Sequence, residues 1–153
     1  MQNISKELTD LGVDVTVATL RPRGCPSFEK RENVHVYRTL SSSDLAVNLY
    51  LVAVKRYIDK INRKKVIDII HGQLPLIQTV LLPKKTHFIE TVHSVSKIEI
   101  DALKNLSFSE IAAWEKYLIV FSPIYHILEK IVFSKADICI AVSNHVKEEV
   151  MKT

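Results

Sequence analysis

The stretch Asp137–Val150, D-I-C-I-A-V-S-N-H-V-K-E-E-V, reads as an apolar strand running through small polar residues straight into a helix. Asp137–Val142 supplies the strand, and Ser143 stands where a hydroxyl caps the first turn of the helix. Strand, polar turn and helix start form the repeating unit of doubly wound α/β sheets, which hold ligands outside the carboxyl ends of their strands. Two further strands end in the same manner, each on an imidazole. They are Val66–His71, V-I-D-I-I-H, and His87–His93, H-F-I-E-T-V-H, the latter continuing into Ser94.

Working outward, Ile4, Leu8 and Leu11 share one face of a short helix, and Gly12 follows where a helix commonly stops. Val13–Val17 alternates as a strand. Arg21–Ser27, with two prolines and a glycine, is a loop, and Val34–Arg38 is the next strand. Ser41–Asp44 offers N-caps for a long helix over Leu45–Arg63, whose basic tail suits the negative end of the helix dipole. Val66–Ile70 is nearly continuous in apolar residues, the pattern of a buried parallel strand. His71-Gly72-Gln73 turns the chain into a short helix over Leu74–Leu82, stopped by Pro83. His87–Val92 is a strand, and Ser94–Ser107 reads as loop with a helical piece. Ser109–Phe121 and Pro123–Ser134 read as consecutive helices, the second with an apolar stripe of Ile124, Ile127, Leu128, Ile131 and Val132. The order α-β-β-α-β-α-β-α-α-β-α predicts an α/β fold: a doubly wound, mostly parallel sheet with helices on both faces. No repeat or linker interrupts it, so residues 1–153 read as a single domain.

Composition agrees with a globular chain. Its 153 residues are 47% hydrophobic and 25% charged, enough to bury a full core. A net charge of +4 suits a phosphate-rich ligand, nucleic acid or an anionic membrane without choosing among them. Aromatic and basic residues are not interleaved, so a nucleic-acid partner is not expected. Cys25, in a proline-flanked loop, is expected exposed, and Cys139, within a strand, is expected to act as a small buried hydrophobe. Neither has zinc-site spacing, and together they fit a reducing cytoplasm. The residues from Met1 to Asp10 lack the apolar core of a signal peptide. Tyr117–Phe133 is interrupted by Pro123, His126, Glu129 and Lys130, and falls short of the roughly 20 apolar residues of a spanning helix.

His71 and His93 carry the chemistry most directly. If their strands run parallel, both imidazoles stand over the crevice at the sheet's carboxyl edge. There a neutral ring hydrogen-bonds a hydroxyl, and a protonated one a phosphate oxygen. The plainer alternative is that each merely caps a backbone group. His35, His87, His126 and His145 read as structural or surface residues. No pair of histidines has metal-ligand spacing, so no metal is expected. Ser94 follows His93, but adjacency in sequence is not triad geometry. Nothing fixes the separation of Glu90 from Glu99 or Asp101 as a carboxylate pair. Ser143-Asn144-His145, at a helix start, could favour an anion, or be an N-cap and nothing more.

Taken in order, L-G-V-D-V-T-V at Leu11–Val17, V-I-D-I-I-H, T-V-H-S and A-D-I-C-I-A-V-S at Ala136–Ser143 resemble the N-terminal, acceptor-side domain of a retaining GT-B glycosyltransferase. The group is the glycogen-synthase-like one, glycosyltransferase family 4. The resemblance covers essentially the whole chain but part of the enzyme. It implies a Rossmann-like half whose first strand and glycine-rich loop are missing, and whose donor-binding half would begin where the chain ends at Thr153. It implies transfer of a sugar from a nucleotide-sugar, the donor substrate, to an acceptor, with no further cofactor. By the same resemblance His93, followed by Ser94, closes a strand lining the cleft and contacts the donor sugar or its phosphate, whereas His71 and Gln73 lie near the acceptor. It implies as partners a sugar acceptor, lipid-linked in many relatives, and the absent donor-binding domain or a partner chain. A cytoplasmic place with peripheral membrane contact is compatible with it, through the basic and apolar segment Lys116–Phe133. A fragment inactive alone is expected. The alternatives are a non-catalytic interaction or regulatory module that needs a partner chain, and an unrelated one-domain α/β enzyme.

Overall fold

The computed structural model describes residues 2–41, 46–73, 86–103, 105–107 and 109–153, which fall into two compact units, Met1–Ile58 and Asp59–Thr153. The first unit opens with helix α1, Gln2–Asp10, closed by Gly12 at φ 83°. Here the Gly12 amide donates to Thr9 and the Val13 amide to the Leu8 carbonyl. Because Val13 still belongs to this closure, strand β1 begins later than its alternation suggested, and spans Val15–Arg21. The next strands are β2, Phe28–Arg31, and β3, Val34–Ser41, in the sheet order β1-β3-β2. β1 runs parallel to β3, with Val15 opposite Val34, and β2 runs antiparallel to it.

Strand β2 lies in F-E-K-R, a segment between the expected loop Arg21–Ser27 and the expected strand Val34–Arg38 to which the sequence assigns no element. Tertiary contacts create it. The Phe28 ring lies 4.8 Å from that of Tyr37, and the Arg38 guanidinium donates to Glu29 at 2.7 Å and to the Pro26 carbonyl at 3.3 Å. Between β2 and β3 Glu32 takes a left-handed conformation, φ 52°, as a tight hairpin turn requires. Helix α2, Ala46–Asn62, buries Val54 and sets the Tyr57 ring 4.5 Å from that of Tyr37. Of the expected caps, Ser41 ends β3, and residues 42–45 lie outside the described residues.

The second unit holds a parallel sheet, β4 (Ile69–Gly72), β5 (His87–Val92) and β6 (Ile138–Ala141), in that order. The expected strand Val66–Ile70 starts three residues late. It is also not buried, with Val66 74% and Ile69 57% exposed, because β4 is a sheet edge and Val66 precedes it. The expected helix Leu74–Leu82 lies outside the described residues. Asp137 locks the entry of β6 to β5: its carboxylate accepts from the Phe88 amide at 2.7 Å and its own amide donates to the Phe88 carbonyl at 2.8 Å.

Helices α3 (Ser96–Leu103), α4 (Ala113–Val120) and α5 (Ser122–Lys135) connect β5 to β6, and α6 (Asn144–Lys152) follows. Ser143 caps α6 by accepting from the Val146 amide at 3.2 Å. The core gathers Val92, Val95 and Val146, with Ile98, Phe133, Ala141 and Val150 against it. The α5 stripe is only half internal. Val132 is fully buried, but Ile124 and Ile127 are exposed, and the charged Glu129 is buried instead, because it bonds α3. Both cysteine expectations also change. Cys25 is half-buried, its amide tied to the Pro22 carbonyl, and Cys139 is exposed on a sheet that lacks cover there among the described residues. The architecture is α/β with a parallel sheet, one Rossmann-like half.

Candidate functional site

β4 and β5 run parallel with His71 opposite Ile89 and Gly72 opposite Glu90. Side chains alternate along a strand, so His71, Thr91 and His93 project from one face at the carboxyl edge, and Gly72, Glu90 and Val92 from the other. Hydrogen bonds join the first set. Nε2 of His71 lies 2.8 Å from Oγ1 of Thr91 and 3.0 Å from Nε2 of Gln73. Oε1 of Gln73 in turn lies 3.5 Å from Nε2 of His93. Partial burial pushes the His71 pKa down, which favours the neutral ring. The arrangement can give and take hydrogen bonds with a hydroxyl-bearing ligand placed over the strand ends.

Of the four residues singled out from the sequence, His71, Gln73 and His93 thus come together. Ser94 sits beside them but bonds elsewhere, to Glu99 and, at 3.4 Å, to the Val95 carbonyl. Thr91 was missed. Its signal was available, since it stands two residues before His93 and therefore on the same face.

Behind the cluster lies a residue of a different kind. Glu90 is completely buried, and neither of its carboxyl oxygens has a hydrogen-bond partner among the described residues. Burial pushes its pKa up to about 8, so it sits in the sheet as a neutral acid at pH 7. Burial is the cause of this shift, with no contribution from a second carboxylate. The Glu90 carboxyl fills the space above Gly72, where a Cβ would overlap Oε2 and lie 2.9 Å from Cδ. Glycine at 72 is therefore a steric requirement.

A serine, a histidine and a carboxylate also meet at Ser96, His126 and Glu129. Their geometry is that of a cap, not a nucleophile. Glu129 accepts from the Ser96 amide at 2.7 Å and from its hydroxyl at 2.6 Å, which commits the single hydroxyl proton to the carboxylate. Nδ1 of His126, 3.2 Å from Ser96 Oγ, then faces an acceptor and serves as donor rather than base. The carboxylate also complements the positive start of α3.

The comparison that bears on identity is a sequence match, described as Glycosyltransferase Family 4, spanning residues 1–153. The chain belongs to glycosyltransferase family 4. No curated protein and no solved structure matches it. The match agrees with the N-terminal, GT-B-type domain that the ordered motifs resemble, and supports glycosyltransferase function in general for this family 4 chain. Among its described residues, no three His, Cys, Asp or Glu side chains are grouped to hold a metal ion, and no helix is long and apolar enough to cross a membrane.

Proposed function

We propose that this family 4 domain forms the acceptor side of an enzyme that transfers a sugar from a nucleotide-sugar with retention of configuration. His71 and Gln73 hydrogen-bond the acceptor's hydroxyls, and His93 and Ser94 line the same edge of the cleft. The observation that carries the reading is the hydrogen-bonded chain of Thr91, His71, Gln73 and His93 across the carboxyl ends of two parallel strands, where α/β sheets bind ligands. The donor-binding half comes from a second domain or a partner chain, and the nucleotide-sugar is a substrate rather than a resident cofactor. On this reading residues 1–153 bind the acceptor, and turnover needs the donor-binding half as well.

The test pairs the chain with a family 4 donor-binding domain and follows transfer of labelled sugar from a nucleotide-sugar to a panel of acceptors. His93→Ala should lower transfer by about tenfold to a hundredfold, in line with the loss of one or two hydrogen bonds to a bound ligand. Transfer unaffected by both His71→Ala and His93→Ala would remove the assignment. Acceptor binding without transfer in any pairing would favour the non-catalytic module.

One further observation supports a peripheral membrane contact. Val120, Ile124 and Ile127 are exposed at the α4–α5 junction, near the exposed Lys130. Apolar residues flanked by cations bind anionic lipid surfaces. Co-sedimentation with phosphatidylserine vesicles should fall on Ile127→Ser, and equal sedimentation with neutral vesicles would count against it.

A further inference from the structure

We propose that Gln73 is a positioning residue whose amide, set between Nε2 of His71 and Nε2 of His93, holds the two rings in opposite hydrogen-bonding roles and makes the site select an uncharged polyhydroxyl ligand over a phosphate. The selectivity half rests on the acceptor-site reading above; the positioning half does not.

An amide has one accepting end and one donating end. With its nitrogen 3.0 Å from His71 and its oxygen 3.5 Å from His93, Gln73 donates to a lone pair on His71 and accepts a proton from His93. His71 then carries its proton on Nδ1, and His93 carries its proton on Nε2. Turning the amide around exchanges these roles but leaves them opposite. The Thr91 hydroxyl, 2.8 Å from the same His71 nitrogen, adapts to either case because it both donates and accepts.

Protonating both rings would place an N–H against the donating end of the amide and break one of the two bonds. The groups bonded to the pair, Thr91 from β5 and Gln73 after β4, carry no charge, and the one carboxyl next along β5, Glu90, projects from the opposite face. Nothing in this chain of bonds therefore recruits a second proton. What remains for a ligand is mixed: Nδ1–H of His71 and the second amide proton of Gln73 donate, whereas Nδ1 of His93 and the Thr91 oxygen accept. A sugar hydroxyl, which gives and takes, meets such a set. A phosphate at neutral pH offers almost only acceptors and leaves half of it unmatched.

The test reads the imidazole nitrogens of the full chain by long-range proton–nitrogen correlation near pH 7.5, in the wild type, Gln73→Leu and Gln73→Glu. Opposite tautomers at His71 and His93 are expected in the wild type. In Gln73→Leu that opposition should vanish. In Gln73→Glu, where both ends accept, both rings should become protonated on Nε2. Methyl α-glucoside should perturb the wild-type rings at roughly tenfold lower concentration than inorganic phosphate, about one hydrogen bond's worth of discrimination, and Gln73→Leu should abolish that preference. Like tautomers in the wild type, or opposite ones persisting in Gln73→Leu, would overturn the positioning role. Stronger perturbation by phosphate would overturn the selectivity. The expected tautomers with no response to either probe would uphold the role of Gln73 and sink the acceptor-site reading.

Discussion

Gly72 and Glu90 face each other across β4 and β5, and the space a side chain at position 72 would take is already filled by the Glu90 carboxyl. A flexible carboxyl on a surface would swing away. This one is completely buried, so it has to be repacked. Gly72→Ala should therefore destabilise the protein by about 1–3 kcal/mol in urea unfolding, the usual cost of overpacking. Shortening the opposing residue, in Gly72→Ala with Glu90→Ala, should cost less than the two single changes added together. Strict additivity would show that the overlap is not the cause.

The same carboxyl sets a pH dependence. Its ordinary value is 4.5, and in the fold it rises to about 8 through burial. Between those values the unfolded chain has released the proton that the folded chain retains. Stability from this group is thus complete below about pH 4.5, falls as pH rises, and is lost above about pH 8. The steepest change is about tenfold in the folding equilibrium per pH unit. Glu90→Gln should remove this dependence, so the wild-type-minus-variant difference in unfolding free energy should fall with rising pH over that window. Cys139, the register partner on β6, is exposed by surface area, yet the sheet around it desolvates its thiol in part and raises the pKa, with Glu90 as the second cause, so in Glu90→Gln it should titrate lower. A difference curve without slope would refute the assignment.

Glu129 joins α5 to the start of α3, immediately after the loop that carries His93 and Ser94. Glu129→Ala removes both bonds to Ser96 and leaves a buried amide unsatisfied, which should cost about 1–3 kcal/mol. Ser96→Ala, which keeps the bonded amide, should cost less. Chemical denaturation of both single variants and the double variant resolves the coupling. Equal costs for the two single changes would mean that the amide bond contributes nothing.

Ser143 offers the simplest check. Its hydroxyl accepts from the Val146 amide at the start of α6, so Ser143→Ala should cost about 1 kcal/mol and Ser143→Asp close to none. Thermal unfolding of the two variants compares them directly, and an aspartate as damaging as alanine would contradict a capping role.

How far the chain could be read depended on whether local or distant neighbours decide each element. His87–Val92 has the stated limits because its alternation and flanking residues already define a strand. Ser143 announced its cap through position alone. His71 and His93 were placed at strand ends by pattern, and the parallel register then brought them to one edge. Phe28–Arg31 stayed invisible because its pairing depends on Tyr37 and Arg38, which lie beyond the turn. Glu129 misled for the opposite reason: on a helical wheel it belongs to the solvent side, and only the unsatisfied start of α3 draws it inward. In the sequence Glu90 reads only as half of a carboxylate pair, with Glu99 or Asp101, whose separation nothing fixes. Nothing in E-T-V-H says which face of the strand will be covered, so its burial was not legible.

Among the described residues, the sheet that carries the histidines contains no hairpin. All its strands are parallel, and between β5 and β6 the chain passes through α3, α4 and α5. The pairing of β2 with β3, by contrast, closes over the short turn at Glu32. Local hairpins form early, whereas parallel pairings wait for long loops to close. The histidine edge is accordingly a late product of folding. His71 and His93 come to one edge only after β4 and β5 have found each other across the intervening chain, so the hydrogen bonds that Gln73 makes to the two rings would report completed folding rather than collapse.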